Sequence, residues 1–584
     1  MAINAALFGA IMGFYLVVTA YLGYLGWKRT KTHEDFMIAG RKVHPYLVAI
    51  SYGATFISTS AIVGFGGAAS LFGMGLLWLT FMNIFVGIFI AFVVFGNRVR
   101  RMGLNLKALT FPEVLGRRFE SKFIQGFVGL LTWVFMPLYA SIVLIGAGRM
   151  LESILQINFD VALLFFTVII AAYVILGGLK GVMYADAFQG TLMAVAMLVL
   201  LIGTYAALGG IGKAHTALTD FKETDTYANL TSKNAPLPVL GHRGFTAFPK
   251  MSLGNKPAGP DGLNNTEGVF WTVLFGLIFG VGIGVLAQPQ LVVRCMASKS
   301  KRDLNRATAI GGVFILLMTG VAFTAGALSN AYWEQEGVGL VKSPWNASLT
   351  SAEVRELYYE YDENGKLIAR PSDYQYWQDN AIPEFVNYAF PQWFTYVFMI
   401  GLVAAAMSTL SSQFHAMGTS FGHDFFGAFF GKGRGDERTV YMTRVGVALT
   451  VLVSVVLGYI LPFAVIARAT TIFFGLCSGV FLSAYTAGLF WRRATRTGAY
   501  ASIVGGFVTW AIWTLFFKVS ESDPLGICKA IFGKSVLLEA KASLTQLDSF
   551  FIALPVSAAL MIIVSLLTKP PADELLDKAF DEVK

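Results

Sequence analysis

Charged side chains are scarce in this chain of 584 residues. Asp, Glu, Lys and Arg together make up 14% of it, whereas an ordinary soluble domain carries about 25%. Apolar residues make up 55% of the chain. A chain with so few charges is poorly suited to cover a large surface in water, so its composition favours a protein that spans a membrane.

Cysteine is scarce as well. The three residues Cys295, Cys477 and Cys528 have no metal-ligand spacing and form no disulfide framework. The sequence has no Gly-x-x-x-x-Gly-Lys-Ser/Thr loop, which argues against a built-in ATPase. The formal net charge is +9, but the basic residues lie in short stretches between apolar runs. We therefore expect no nucleic acid partner, and nothing in the sequence requires a protein partner.

Thirteen apolar segments are each long enough to cross a bilayer, which takes about 20 residues. We therefore predict an all-α polytopic membrane protein with 13 transmembrane helices, surrounded by the lipid bilayer. The segments lie near residues 5–27, 43–68, 73–96, 123–148, 159–178, 183–209, 268–290, 308–330, 391–425, 440–460, 465–490, 497–518 and 549–567.

Lys and Arg are concentrated in every second connection between these segments. Positive charge in short loops indicates the cytoplasmic side. This pattern predicts a multi-pass protein of the plasma membrane or bacterial inner membrane, with the N-terminus outside and the C-terminus in the cytoplasm. The first segment has no basic start and no small-residue cleavage site, so we expect it to be retained. The basic connections are 27–36, 97–107, 179–181, 298–306, 431–438 and 491–498.

One apolar segment carries an unusual number of hydroxyl groups. In VAAAMSTLSSQFHAMG, residues 403–418, four hydroxyls fall within five positions, at Ser408, Thr409, Ser411 and Ser412. The three serines share one helix face through their i, i+3, i+4 spacing. Such hydroxyls can bond to the preceding turn or hold helices together. The alternative is that the hydroxyls form a cluster of neutral oxygen ligands. Small alkali cations prefer such ligands, which bind them weakly enough for release.

Two segments carry several glycines that weaken a helix. Residues 51–70 read SYGATFISTSAIVGFGGAAS, and residues 275–290 read FGLIFGVGIGVLAQPQ. A broken helix frees backbone carbonyls, which membrane proteins tolerate where the break lines a cavity. Close packing of helices on glycine is the alternative. Each of these two segments is the first in a set of five apolar segments. Interrupted helices at matching positions in two halves of a chain indicate an inverted-repeat transporter.

An acidic residue lies within the sixth segment. Asp186, in GGLKGVMYADAFQG at 177–190, lies in its first turns, and ionisable groups at this depth are costly and usually functional. We expect Asp186 to lie level with the inward end of the hydroxyl cluster and to hold a second cation with Ser411 and Ser412. Capping of the helix, or pairing with Lys180, is the alternative.

Five stretches together resemble the sodium/solute symporter family: DFMIAGRKVHP, GATFISTSAIVGFGGAAS, GGLKGVMYADAFQG, QPQLVVRCMASKS and AAAMSTLSSQ. The resemblance covers about residues 8–515 and implies a leucine-transporter-type fold with a 5+5 inverted repeat. The expected parts are an extra helix (1–30), the first repeat (42–209), an extracellular loop (210–267), the second repeat (268–492, with an outer loop at 331–390), two further helices (493–570) and a cytoplasmic tail (571–584).

The resemblance also implies cation sites. Some family members look to carry a second sodium, and Asp186, Ser411 and Ser412 stand at the matching positions. Na+ is therefore the expected coupling ion, with one and at most two ions in each cycle. The family's shared sodium site uses carbonyls of the first core helix with a carbonyl and hydroxyls of the eighth, which match Ala54, Ile57, Ala405, Ser408 and Thr409.

The solute is indicated less directly. ATFISTSAIVGFGGAASLFGMGLLW is similar to the pantothenate and monocarboxylate branch, while PLYASIVLIGAGRMLES and QPQLVVR also resemble the proline branch. The proline branch has Asp, Trp and Trp where Phe56, Ser60 and Val281 stand, although Tyr139 matches a substrate-side Tyr. We expect a small organic carboxylate, bound among Phe56, Ser60, Tyr139 and Gln288.

The sequence thus predicts a secondary active symporter rather than an enzyme. Pantothenate or a monocarboxylate is the first expectation for its solute, and proline or another amino acid is the second. Proton coupling, through Asp186 or His415, is an alternative to sodium coupling. A transporter-like sensor is a further alternative, although the tail at 571–584 is too short for a signalling domain. A channel would need a continuous polar path, whereas the polar residues form separate clusters.

Overall fold

The computed structural model describes residues 5–155, 159–220, 278–336, 360–361, 367–369, 381–431, 436–460, 463–538 and 544–583. Most of the predicted outer connections, 210–267 and 331–390, lies outside these ranges. The first part of the predicted seventh segment, 268–277, lies outside them too.

Between residues 5 and 220, the described part of the chain contains ten α-helices. Turns of 3-10 helix cover Ala39–Arg41 and Gly73–Leu76, and π-helical turns cover Ser60–Gly64 and Ile84–Gly96. The helices are α1 (Ala5–Arg29), α2 (His33–Ile38), α3 (Pro45–Phe56), α4 (Phe65–Phe72), α5 (Leu77–Asn83), α6 (Asn97–Asn105), α7 (Phe111–Arg118), α8 (Lys122–Leu155), α9 (Phe159–Ala207) and α10 (Ile211–Asp220).

From residue 278 onward, the described residues are mainly helical as well, with one short antiparallel pair, β1 (Glu360–Tyr361) and β2 (Leu367–Ala369). Its π-helical turns cover Ser420–Phe426, Cys477–Phe481 and Trp513–Phe517, and a 3-10 turn covers Leu544–Gln546. The helices are α11 (Gly282–Val285), α12 (Pro289–Ala297), α13 (Lys301–Gln335), α14 (Ala381–Ala389), α15 (Gln392–Thr419), α16 (Gly427–Phe430), α17 (Asp436–Ile460), α18 (Phe463–Leu476), α19 (Leu482–Phe490), α20 (Arg496–Ile512), α21 (Val519–Leu525), α22 (Ile527–Phe532), α23 (Ser549–Leu567) and α24 (Asp573–Phe580).

Two membrane-length segments are interrupted. Within the described ranges, ten helices are long and apolar enough to cross a bilayer, and two further pairs reach that length only together. One pair, Pro45–Phe56 with Ala61–Ser70, bends by 62°, and the other, Ile278–Val285 with Pro289–Ala297, bends by 44°. These pairs are the two glycine-rich segments of the sequence. The all-helical, polytopic architecture that the composition predicts is confirmed.

The helix α9 is unusually long. Its 49 residues would extend about 74 Å at 1.5 Å per residue, more than twice the bilayer core. Gly178 breaks it, with φ at +56° and ψ at −158°, a conformation that only glycine adopts readily. The sequence predicts two segments here, 159–178 and 183–209, and Gly178 lies at the end of the first.

The helix α15 lies at the centre of the molecule. It packs against α3, α8, α9 and α17, and its side chains from Phe398 to Thr419 are buried without interruption. A helix enclosed in this way has no solvent or lipid face, so its apolar residues are spread around the whole circumference. The hydroxyls of its middle turns therefore face neighbouring helices.

The crossing of α13 and α4 provides a test of this packing. A Cβ atom on Gly326 would lie 1.8 Å from the carbonyl oxygen of Gly66, whereas a Cβ on Gly320, in the same helix, meets nothing within 4 Å. Overpacking costs about 1–3 kcal/mol or more. We expect Gly326→Ala to lower the midpoint of thermal unfolding in detergent, while Gly320→Ala leaves it unchanged or slightly raises it. Equal midpoints for the two variants would show that α4 and α13 do not cross here.

Candidate cation and solute site

The end of α3 supplies free carbonyl groups. His44 caps the start of this helix and Pro45 occupies its first turn, where the missing N–H is not needed. At the other end, Ile57 has φ at −85° and ψ at 99°, which is not helical. Because the helix stops there, its last carbonyls, among them those of Ala54 and Thr55, have no following helical turn to donate to them.

Hydroxyl groups of α15 meet these carbonyls. Ser408 Oγ donates to the Ala54 carbonyl at 2.8 Å and lies 3.1 Å from the Ala405 carbonyl. Thr409 Oγ1 lies 3.4 Å from the Ala54 oxygen and 3.2 Å from the Thr55 oxygen. These side chains and carbonyls are buried. Four of the five residues predicted for the first sodium site therefore share one cluster of oxygen atoms.

The chemistry of this cluster suits an alkali cation. All its oxygens are neutral, and hard neutral oxygens bind such ions weakly enough for release. A hydroxyl can turn its hydrogen away and offer a lone pair when a cation arrives. Ile57, the fifth predicted ligand residue, directly follows α3, so its carbonyl lies next to the same helix end.

Asp186 lies in the second half of α9, and its side chain is fully buried. Ser411 Oγ lies 3.3 Å from Asp186 Oδ1, and Ser412 Oγ lies 3.3 Å from Asp186 Oδ2. The structure thus brings together the three residues predicted for a second cation. Lys180, the alternative partner, instead lies 2.6 Å from Asp35 Oδ1.

Arg294 belongs to the same cluster, although it is not among the site residues predicted from the sequence. Its Nη2 lies 3.0 Å from Asp186 Oδ2, and both side chains are 0% exposed. Arg294 Nε donates to Ser51 Oγ at 2.8 Å, and Ser51 Oγ donates to Asp186 Oδ2 at 2.7 Å. The guanidinium also donates to Ser412 Oγ and to the Gln290 carbonyl. One buried network thus connects α3, α9, α12 and α15.

The sequence does contain a signal for Arg294. The predicted seventh segment ends at residue 290, whereas α12 continues to Ala297, so Arg294 lies inside a buried helix rather than in a loop. A buried charge needs polar or charged partners. The identity of those partners depends on the fold, because 108 residues separate Arg294 from Asp186.

One solute candidate, Tyr139, lies beside the second interrupted segment. Tyr139 is buried in α8, and its ring centroid lies 5.5 Å from that of Phe474 and 6.3 Å from that of Phe473 in α18. A Cβ on Gly284 of α11 would lie 2.8 Å from Phe474 Cβ. Tyr139 also lies close to Ser58, in the break after α3. It therefore lies between the two breaks.

The other solute candidates lie at the breaks themselves. Phe56 is half-buried in the last position of α3. Gln288 precedes α12 in an extended conformation, and its Oε1 accepts from Gln290 Nε2 at 2.8 Å. Within the described part of the chain, Gln288 Nε2 is buried without a partner. Ser60 opens the π-helical turn after α3, and its side chain lies outside the described part.

A further polar network lies at the C-terminal end of α15. Glu113 of α7 lies 3.0 Å from His423 Nε2 and 2.6 Å from Arg117 Nη2. Thr110 Oγ1 donates to Asp424 Oδ1 at 2.6 Å. Burial alone would raise the pKa of Glu113, but the neighbouring His423 and Arg117 lower it to about 2. Glu113 is therefore ionised at neutral pH and ties α7 to the turn that follows α15.

Comparison with known proteins identifies the family of the chain. A model of the sodium:solute symporter family matches residues 36–359 and 363–506. The high-affinity proline transporter PutP of Bacillus subtilis is 26% identical over 497 residues, which are 84% of this chain and 89% of that protein. The sodium/pantothenate symporter of Haemophilus influenzae is 23% identical over 531 residues, which are 89% of this chain and 94% of that protein.

Among solved structures, a Na+-coupled sialic acid symporter in a substrate-bound outward-open state has a similar fold. Its TM-score is 0.69 at 15% sequence identity, and the match covers 96% of this chain and 98% of that chain. The likeness concerns the whole helical arrangement rather than one part of it.

Proposed function

The chain belongs to the sodium:solute symporter family, and on this basis we propose that it imports a small organic carboxylate together with Na+. Its relatives are transporters rather than enzymes. Pantothenate and short monocarboxylates are the solutes we propose first. The observation that carries sodium coupling is the contact of the Ser408 and Thr409 hydroxyls with the Ala54 carbonyl at the break of α3.

The proposed mechanism is alternating access driven by the ion. A sodium ion that binds Ala54, Ile57, Ala405, Ser408 and Thr409 would draw α3 and α15 together and complete the solute site beside them. Moving one charge inward across 100 mV releases about 2.3 kcal/mol. This corresponds to roughly a 50-fold concentration ratio at about 1.4 kcal/mol per tenfold. A single sodium can thus drive substantial accumulation.

The proposed solute site lies between the two breaks, with Phe56, Ser60, Tyr139 and Gln288 around the solute. Interrupted helices leave backbone polar groups free at a cavity. The buried Nε2 of Gln288 is a donor suited to a carboxylate oxygen. Tyr139, with the aromatic rings of α18 beside it, would cover the apolar part of the solute.

Proline, or another amino acid, is the second candidate solute. It is supported by the relatives named as proline transporters, such as PutP of Bacillus subtilis. Proline is also a small carboxylate and would use the same donor set. Three residues of this chain distinguish it from the proline branch. Phe56, Ser60 and Val281 stand where that branch is expected to carry Asp and Trp residues.

The membrane arrangement we propose has 13 spans, with the N-terminus outside and the C-terminus in the cytoplasm of a cell that carries the protein in its plasma or inner membrane. The break at Gly178 supports two crossings within α9. Two five-helix repeats, 42–209 and 268–492, would form the core. One helix (1–30) precedes them, and two helices (493–570) and the tail (571–584) follow. The basic connections support this orientation.

Uptake into proteoliposomes tests the function. Pantothenate, short monocarboxylates, proline and a sugar would each be offered with an inward sodium gradient and with potassium in its place. We expect sodium-dependent accumulation of one carboxylate. Uptake of proline alone would identify the second candidate and show that Phe56 and Ser60 do not exclude an amino acid.

The coupling ion has its own control in the same experiment. Replacing sodium at constant pH separates sodium coupling from the proton-coupled alternative. Accumulation that persists without sodium and follows a proton gradient would overturn the assignment of Ser408 and Thr409. Single-channel currents through the reconstituted protein would overturn the symporter itself.

A further inference from the structure

A pocket lies where three membrane-length helical segments end. These segments are Lys122–Gly148, Gln392–Phe430 and Glu437–Ile460. The pocket has a volume of about 190 Å³. Residues from the ends of all three segments line it, among them Lys122, Gln125, His423, Phe426, Arg438 and Thr439. Because the three segments reach the edge of the bilayer here, the pocket lies at a membrane–water boundary.

Two cations at the rim of this pocket have no partner of their own. Lys122 is the first residue of α8 and Arg438 is the third of α17, and both are exposed. Within the described part of the chain, neither side chain forms an ion pair or a hydrogen bond. The two helices also begin here, so the positive ends of their dipoles lie at the pocket. The rim therefore attracts an anion.

The acidic residue in the pocket lining, Glu113, does not cancel this charge. Arg117 Nη2 lies 2.6 Å from Glu113 Oε1. Asp424 is completely buried behind Gln125, whose Nε2 donates to Asp424 Oδ1 at 3.0 Å. Even with Asp424 ionised, Arg117 and the two rim cations outnumber the two carboxylates. An anionic group that enters the pocket therefore meets a net positive charge.

An aromatic surface continues from the pocket. Phe426 lines the pocket, and its ring centroid lies 5.6 Å from that of Phe430. Phe123 and Phe429 pack edge to face, with ring centroids 6.5 Å apart. Phe123, Phe429 and Phe430 are 42–56% exposed. Exposed phenylalanines at a membrane boundary gain free energy by contacting lipid chains instead of water. The pocket thus combines a cationic rim with an apolar surface beside it.

We propose that this pocket binds the phosphate of an anionic phospholipid. Lys122 and Arg438 would contact the headgroup, and the acyl chains would lie along Phe429 and Phe430. Basic pockets between transmembrane helices on the cytoplasmic side suit such headgroups, and this pocket lies on that side in the proposed membrane orientation. A lipid bound here would hold the starts of α8 and α17 together. The inference goes beyond the transport function and depends on neither the solute nor the coupling ion.

Native mass spectrometry of the purified, delipidated full-length protein in detergent tests the proposal. Phosphatidylglycerol, phosphatidylcholine and inorganic phosphate would be titrated separately, and the midpoint of thermal unfolding recorded at each concentration. We expect the first phosphatidylglycerol to bind about tenfold or more tightly than phosphatidylcholine and to raise the unfolding midpoint. Inorganic phosphate has no acyl chains, so it should leave the midpoint unchanged.

Two double variants separate this pocket from general surface charge. Lys122→Gln/Arg438→Gln should lose the preference for phosphatidylglycerol, with its affinity lowered about tenfold or more. Lys301→Gln/Arg302→Gln removes two exposed cations from the first turn of α13, another membrane-length helix, and should bind like the wild type. Phe430→Ser should weaken phosphatidylglycerol binding as well, because it removes apolar surface. Size-exclusion profiles establish that each variant is folded.

Several results would overturn the proposal. Equal affinity of the wild type for the two lipids, or equal losses in the two double variants, would show that the pocket does not select an anionic lipid. An unfolding midpoint that rises as much with inorganic phosphate as with phosphatidylglycerol would identify a free anion as the ligand instead. If Lys122→Gln/Arg438→Gln does not fold, unchanged lipid affinity in folded Phe430→Ser would overturn the proposal. Failure of sodium-dependent uptake would leave these binding results as they are, so the two proposals are tested separately.

Discussion

Replacing Ser408 or Thr409 by alanine is expected to raise the sodium concentration for half-maximal uptake about tenfold or more. Each hydroxyl contributes an oxygen at the Ala54 carbonyl, and a hydrogen-bond-type contact to a charged group is worth about 1.5–3 kcal/mol. A loss of about 1.4 kcal/mol is tenfold in affinity. Sodium titrations of uptake into proteoliposomes measure this shift, and the double variant should be more impaired than either single one.

The same helix offers a matched control. Thr419 is buried in α15, and its Oγ1 bonds back to the Ala416 carbonyl of its own helix at 2.9 Å. Thr419→Ala removes a hydroxyl from α15 without touching α3, so its sodium dependence should stay that of the wild type. Unchanged sodium dependence in both Ser408→Ala and Thr409→Ala would remove the first site assignment. An equal shift in Thr419→Ala would mean that any lost hydroxyl in α15 has this effect.

The variant Asp186→Asn is expected to destabilise the protein strongly. It leaves the Arg294 guanidinium buried without its carboxylate, and breaking a buried ion pair by removing one partner costs about 3–5 kcal/mol. The midpoint of thermal unfolding in detergent should fall clearly. The amount of folded protein after size-exclusion chromatography should fall with it.

The double variant Asp186→Asn/Arg294→Gln separates lost pairing from lost packing. Removing both charges leaves no unpaired ion, so we expect most of the lost stability to return. A double variant as unstable as Asp186→Asn would show that the charge of Arg294 is not the cause. Ser411→Ala provides a milder comparison, since it removes a 3.3 Å contact to Asp186 and a 3.1 Å contact to the Ser408 carbonyl but no charge.

The two neighbouring clusters on α15 differ in their charge. The first contains only neutral oxygens, the type of ligand from which an alkali ion can be released, whereas the second contains a carboxylate paired with a guanidinium. Both lie on α15 within one turn of each other, at Ser408 and Thr409 and at Ser411 and Ser412. The hydroxyl-rich stretch therefore contacts two partners, the end of α3 and the Asp186 carboxylate.

Much of this protein follows from its sequence alone. Few charges and long apolar runs require a membrane, and in a membrane only helices satisfy the backbone of a chain without alternating strands. Glycine clusters in 51–70 and 275–290 indicate where helices break, since local flexibility is encoded locally. The hydroxyl spacing in α15 shows which side chains share a face, because helical periodicity is a property of neighbouring residues.

The tertiary structure decided what those faces meet. Ser408 and the Ala54 carbonyl are 354 residues apart, and no local pattern records which helix end lies opposite which hydroxyl. The same holds for Arg294, whose charge is visible in the sequence but whose carboxylate is not. A buried charge must find its partner through the packing of distant helices, so the sequence alone determined that polar groups would be buried, and only the fold determined that Asp186 would pair with a guanidinium.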